Sequence, residues 1–239
     1  MTLARLLDRR GGFVALLCGV ALATAVATGL VDAGHHAAAS AAHPATVHTH
    51  DHTDSRSGAP TAKAAFHDEM RKLWEDHVAW TRLAIVTFAD GSAGFEATAA
   101  RLMRNQTDIG DVVKPYYGAA AGNRLTDLLE DHIGIAVGIM QAARAGDNAA
   151  FREAKADWYT NGDDIADFLA AANPRYWPRD TMRAAMRGHL DQTLAEASHE
   201  LAGDYAASVA DYDEIHHHIL GMADVLSSGI VRAFPGQFR

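Results

Sequence analysis

The chain has 239 residues and a mass of 25.6 kDa, with 49% apolar residues, 21% charged residues and a formal net charge of −9. This length fits one targeting segment and one domain better than two large domains. A single cysteine excludes an intrachain disulfide framework, a cysteine-based zinc finger and covalent haem attachment. The acidic balance argues against a nucleic-acid partner, because neutralising phosphates requires clustered Lys and Arg.

Residues 1–31 have the composition of an export segment. Three arginines lie within the first ten residues, and residues 13–31 then run without a charge. A basic region followed by an apolar run is typical of a signal peptide, and Ala25-Val26-Ala27 offers a cleavage site. Uncut, the same run is long enough to span a bilayer as an N-terminal anchor. Both interpretations predict an exported chain, either secreted or anchored to the outer face of the cytoplasmic membrane.

Residues 32–60 predict a disordered linker, because they contain almost no large apolar side chain that could be buried. Six of the 14 histidines fall in this segment, namely His35, His36, His43, His48, His50 and His52. A flexible tract of this kind favours loose capture of Zn²⁺, Cu²⁺ or Ni²⁺ by imidazole nitrogens. The alternative is a low-complexity spacer in which the histidines are incidental.

From residue 61 onward, apolar residues recur with the 3.6-residue period of helices, and the 49 alanines also favour helix. Capping residues and breakers divide this part into predicted helices at 61–89, 93–104, 119–145, 148–172, 179–202 and 205–233, with a transitional segment at 105–118. Long helices joined by short connections predict an all-α domain over 61–239. We expect an antiparallel up-and-down bundle of four long helices with one or two short ones.

Histidines in the middle of predicted helices are the main candidates for function, because side chains on facing helices build the internal metal sites of bundles. His77 and His132 lie on apolar stripes, and His189 precedes Glu196 on one face of its helix. Imidazoles with a carboxylate suit copper, zinc, nickel or iron. The candidate ligands in the bundle are His77, His132, His189, Glu196, His216 and His218, and those in the linker are His48, His50 and His52. The alternatives are a buried network of His, Asp and Glu, or unrelated core histidines.

Several segments resemble a group of small, secreted, all-helical bacterial proteins that has no known activity. The segments are Leu73–Arg82, Tyr116-Tyr117-Gly118, Asp131-His132-Ile133, and Met222-Ala223-Asp224 through to Phe234-Pro235. The resemblance spans roughly residues 66–235 and leaves out the His-rich linker. It implies a helical fold and carries no activity to this chain.

Three functions remain open from the sequence. The leading one is an exported or membrane-tethered bundle that binds a transition metal, with Met182, Met186 and Met222 shifting the preference towards copper. The second is a non-catalytic interaction or structural module of the cell envelope, with a buried network of His and carboxylates. The third is a di-iron-type metalloenzyme, whose Glu-x-x-His pairs are missing from the interior positions.

A non-enzymatic role is favoured over an enzymatic one. No glycine-rich phosphate loop, Gly-x-Ser-x-Gly motif or His-Glu-x-x-His motif is present, so no nucleotide cofactor is indicated. The expected partners are metal ions, and a membrane only through residues 13–31 if they are not cleaved.

Overall fold

The computed structural model describes residues 60–239. They form six α-helices and one 3₁₀ helix, which are α1 Ala62–Ala89, α2 Phe95–Tyr117, α3 Ala119–Ala145, α4 Asn148–Ala172, α5 Arg179–Ala202, α6 Tyr205–Ala233 and the 3₁₀ helix Pro235–Phe238. The prediction of an all-α fold is therefore confirmed for these residues. The predicted export segment at 1–31, and all but the last residue of the predicted linker at 32–60, lie outside the described residues.

The helix ends follow local chemistry that can be read in the sequence. The Thr61 hydroxyl caps α1, and the carboxylates of Asp147 and Asp204 cap α4 and α6 by accepting backbone N–H groups of the first turn. Gly146 and Gly203 end α3 and α5 in the left-handed conformation that glycine adopts without a steric penalty. Five of the predicted helices consequently have nearly the same bounds in the structure.

The second helix differs from its prediction. A short helix at 93–104 followed by a transitional segment at 105–118 is wrong, because α2 continues unbroken for 23 residues. Pro115 lies in the last turn of α2, where a missing N–H removes one hydrogen bond and leaves the preceding turns intact. All six helices are 23 to 29 residues long, so the expected division into four long helices and one or two short ones is also wrong for this part of the chain.

The helices pack as a closed bundle around one main core. Each helix packs against its neighbours in the chain, α6 packs against α1, and α1 also contacts α5. The main core includes Trp74 of α1, Trp158 of α4 and Trp177 before α5, and two smaller apolar clusters lie beside it. Among the described residues, no helix is long and apolar enough to cross a membrane.

A close approach between two helices joins α2 and α3, which are connected by the single residue Gly118. A Cβ atom added at Gly110 would lie 2.7 Å from the carbonyl oxygen of Gly122, and one added at Gly122 would lie 2.5 Å from the carbonyl oxygen of Gly110. Only glycine fits at both positions. This contact therefore brings the backbones of α2 and α3 close together at Gly110 and Gly122.

Candidate functional site

Three histidines from alternate helices meet inside the bundle, and we call them the imidazole cluster. They are His77 of α1, His132 of α3 and His189 of α5, each at most 3% exposed. The ring centroid of His189 lies 5.7 Å from that of His77 and 6.2 Å from that of His132. The prediction that these mid-helix positions face inward is confirmed, and the structure brings all three together.

Asn161 of α4 fixes the proton on His132. The amide nitrogen of Asn161 donates to the carbonyl oxygen of Leu128 at 3.0 Å, so its Oδ1 faces His132 and accepts from Nδ1 at 2.8 Å. A neutral His132 therefore carries its hydrogen on Nδ1 and keeps a lone pair on Nε2. Trp158 stacks on the same ring with centroids 5.0 Å apart and donates Nε1–H to the carbonyl of His132 at 3.1 Å.

The other two imidazoles are less completely satisfied. Nδ1 of His77 and Nδ1 of His189 are both buried and make no well-aligned hydrogen bond among residues 60–239. The side chains of Gln106 and Asn105 nevertheless lie near enough to His77 to act on its pKa in the raising direction. The Oε1 atom of Gln106, on α2, is likewise buried without a partner within the described chain. An unpaired buried polar atom is costly, so each of these three atoms requires an explanation.

All three imidazoles are neutral at physiological pH. Burial lowers the pKa of His77 to about 4, with the nearby His132 as a smaller cause in the same direction. Burial also lowers the pKa of His132 to about 4, although its bond to Asn161 acts in the opposite direction. The pKa of His189 is depressed well below its ordinary value by burial and by its histidine neighbours. Neutral imidazole is the form that binds metal ions.

The rings as they stand are not arranged as a metal centre. No group of three or more His, Cys, Asp and Glu side chains within residues 60–239 is placed to hold a metal ion. The planes of His132 and His189 are inclined by only 26°, and Trp158 covers one face of His132. The described conformation is therefore that of a packed imidazole network.

Glu196 does not join the imidazole cluster in the described conformation. Its carboxylate accepts from Nη1 of Arg82 at 2.8 Å, and Arg82 also donates to the hydroxyl of Ser208 at 2.6 Å. That hydroxyl donates to Glu200 at 2.6 Å, and Nη2 of Arg82 lies 3.4 Å from the same carboxylate. We call Arg82, Glu196, Glu200 and Ser208 the arginine–carboxylate cluster. It joins α1, α5 and α6.

This second cluster places two buried carboxylates beside one guanidinium. Glu196 is 1% exposed and Glu200 is 5% exposed. Burial raises the pKa of Glu196 to about 7, while Arg82 acts in the opposite direction and Glu200 adds to the rise. A carboxyl group that holds a proton near neutral pH is a weaker competitor for metal ions than an ordinary carboxylate.

The remaining predicted ligands lie elsewhere. His216 is about one third exposed and bonds Glu75 at 3.1 Å, so the described conformation does not bring it to the imidazole cluster. His218 is half-buried, and its Nε2 donates to the carbonyl of Ala185 at 2.9 Å. The predicted linker ligands His48, His50 and His52 lie outside the described residues.

Sequence reasoning missed the polar residues that surround both clusters. On α5 the buried positions His189, Thr193, Glu196 and Glu200 are separated by four, three and four residues, so they share one face. That spacing is visible in the sequence and indicates a polar stripe inside the bundle. The partners Arg82 and Asn161 give no such signal, because each acts across a helix interface.

Comparisons with protein-family models, with curated proteins and with solved structures gave no match for this chain. The resemblance to small secreted helical proteins therefore stays a prediction. Function has to be argued from the two buried clusters and the surfaces next to them.

Proposed function

We propose that this protein binds a transition-metal ion inside its helical bundle and handles or buffers that metal outside the cytoplasm. The observation that carries the proposal is the pair of unpartnered Nδ1 atoms on His77 and His189, two adjacent and buried imidazoles. A bound ion would satisfy both atoms, and Nε2 of His132 supplies a third lone pair nearby.

The donor set suits borderline ions such as Zn²⁺, Cu²⁺, Ni²⁺ or Fe²⁺. Because burial already keeps the imidazoles neutral, binding does not have to displace a proton at neutral pH. Binding requires the rings of His77 and His189 to rotate so that three nitrogens point to one centre. Rotation about two side-chain torsions is a small change compared with a movement of helices.

Export and a role for the linker are part of the same proposal. His48, His50 and His52 would collect ions loosely, and the imidazole cluster would hold one ion more tightly.

An antiparallel, up-and-down order of the helices is also proposed. It is supported by cross-contacts such as the Thr87–Thr98 hydroxyl pair near the α1–α2 connection and the Asn105–Leu73 bond further from it.

A second candidate is the non-catalytic envelope module with a buried polar network. The stacking of Trp158 on His132 and the bond from His132 to Asn161 favour it, because both fix the ring without a metal. The di-iron alternative has less support, since Glu196 is engaged by Arg82 within the described part of the chain.

Metal content separates the first two candidates. In a full-length chain with the six linker histidines replaced by serine, we expect about one zinc or nickel ion per chain by mass spectrometry after dialysis. His77→Leu and His189→Leu should each weaken that binding at least tenfold, because each removes one ligand. His67→Leu, near the start of α1 with its side chain 43% exposed, is the matched control and should have no effect on this binding.

An empty protein, or binding that survives both substitutions, would contradict the proposal and leave the polar network as the better explanation. Circular dichroism and urea unfolding of each variant distinguish a lost ligand from a lost fold.

A further inference from the structure

A separate cavity of about 270 Å³ lies between α5 and α6, at the side of the bundle. Its lining includes Met182 and Met186 of α5 together with His218 and Met222 of α6. Each pair is four residues apart, so each pair lies on one helix face, and the two faces meet at the cavity. Three of the six methionines among the described residues therefore converge at one place.

The chemistry of this lining is soft and uncharged. Thioether sulfur is a soft ligand that selects Cu(I) over hard or strongly hydrated divalent ions. No Asp or Glu is among the residues that line the cavity, so a doubly charged ion would lose its hydration without a compensating negative charge. A singly charged, weakly hydrated ion has a smaller desolvation cost.

His218 adds a nitrogen ligand of defined tautomer. Its Nε2–H donates to the carbonyl of Ala185 at 2.9 Å, so a neutral ring carries its lone pair on Nδ1. Gly188 of α5 lies beside the ring, where a Cβ atom would make an ordinary van der Waals contact with the imidazole of His218 at 3.4 Å. The ring is thus held between α5 and α6 by a main-chain bond and by close packing.

We propose that this cavity is a binding site for Cu(I), with the thioethers of Met182, Met186 and Met222 and the imidazole of His218 as its ligands. The site is distinct from the imidazole cluster and goes beyond the proposed function, because it binds a soft monovalent ion that the three core histidines do not select. Binding involves no electron transfer, so the redox-inert Ag(I) ion is a suitable probe.

The test uses the full-length chain with the six linker histidines replaced by serine and with ¹³C-methyl-labelled methionine. Addition of one equivalent of Ag(I) should shift the methyl signals of Met182, Met186 and Met222. The signals of Met70, Met103 and Met140 should stay in place, since these residues do not line the cavity. In competition with a Cu(I) chelator under reducing conditions, Met182→Leu, Met186→Leu and Met222→Leu should each weaken Cu(I) binding at least tenfold.

Leucine nearly conserves the volume of methionine, so these variants are expected to fold. Met140→Leu, in another apolar cluster, is the matched control and should bind Cu(I) normally. Absence of the three methyl shifts, or equal weakening by Met140→Leu, would overturn the proposal. Loss of Ag(I) binding in His189→Leu, with binding kept in the Met→Leu variants, would also overturn it and assign the ion to the imidazole cluster.

Each of the two metal proposals can be contradicted by experiment without affecting the other. Zinc uptake that depends on His77 and His189 can be lost while the Ag(I) shifts persist, and the reverse can also be observed.

Discussion

The imidazole cluster and the arginine–carboxylate cluster bury polar groups on the same two helices in opposite ways. Around His77 and His189 the protein removes charge, because burial keeps the rings neutral. Around Arg82 it keeps charge and pairs it with Glu196 at 2.8 Å. A neutral group can be left partly unsatisfied at moderate cost, whereas a buried ion requires a partner. This difference explains why unpartnered atoms occur on His77 and His189.

The two clusters also respond to pH in opposite directions. A histidine whose pKa is lower in the folded state stabilises the fold above about pH 6.5, and this stability is lost as the pH falls towards about 4. Glu196, whose folded pKa is raised from 4.5 to about 7, stabilises the fold at low pH. Its contribution is lost as the pH rises from 4.5 through 7.

The largest expected effect comes from removing the cation of the arginine–carboxylate cluster. Arg82→Met leaves two buried carboxylates without a counter-charge, so we expect the free energy of unfolding at pH 7 to fall by about 3–5 kcal/mol. Urea denaturation measures this. The double variant Arg82→Met/Glu196→Met removes one of the stranded carboxylates and should recover part of the loss. A single variant as stable as the wild type would contradict the ion-pair description.

The second expected effect concerns the decline of the free energy of unfolding at acidic pH. His77→Leu removes a group that takes up a proton on unfolding, so the decline in stability between pH 6.5 and 4 should become smaller by about 3 kcal/mol. Urea unfolding across this pH range measures the change. His217→Leu, exposed on α6, is the control and should follow the wild-type profile. An unchanged profile in His77→Leu would mean that His77 is not held neutral by burial.

A third measurement addresses the opposite pH dependence of stability, which the carboxyl group of Glu196 causes. Glu196→Gln keeps the shape of the side chain and removes its titration, so the loss of stability between pH 4.5 and 7 should diminish by about 3 kcal/mol. The same urea series shows this as a flatter profile near neutral pH. A larger loss of stability between pH 4.5 and 7 in this variant would contradict the raised pKa assigned to Glu196.

The smallest effect compares two members of the imidazole cluster. His132→Leu leaves the Oδ1 atom of Asn161 without its hydrogen-bond donor, whereas His77→Leu breaks no hydrogen bond of Nδ1. At pH 7 we therefore expect His132→Leu to be the more destabilising by about 1–3 kcal/mol. The double variant His132→Leu/Asn161→Leu tests the cause, because it removes the stranded acceptor and should narrow the difference.

Most helix bounds could be predicted because their signals are local. Thr61, Asp147 and Asp204 cap helices by bonds within their own first turns, and Gly146 and Gly203 end helices through their own backbone conformation. The second helix was not predictable in the same way, because a proline usually breaks a helix interior, and sequence alone did not show that Pro115 falls in the last turn, where only one hydrogen bond is lost.

The candidate site was predictable only as a set of inward-facing residues. Periodicity places His77, His132, His189 and Glu196 on inner faces, and all four are buried. It does not specify which helices meet, so the pairing of Glu196 with Arg82 could not be separated from a shared ligand set. Such pairings depend on distances across helix interfaces.

The closing contact between α6 and α1 also has a consequence for the order of folding. The contacts between consecutive helices involve segments close in sequence, whereas the α6–α1 contact joins segments about 150 residues apart. One bond across this interface, from Arg82 to Ser208, joins residues separated by 126 positions. Contacts between distant segments form slowly because a long loop must first be closed. We therefore expect the α6–α1 interface, where Arg82 of α1 meets Ser208 of α6, to be among the last contacts to form, so that the guanidinium of Arg82 stays partly hydrated until the last helix is in place.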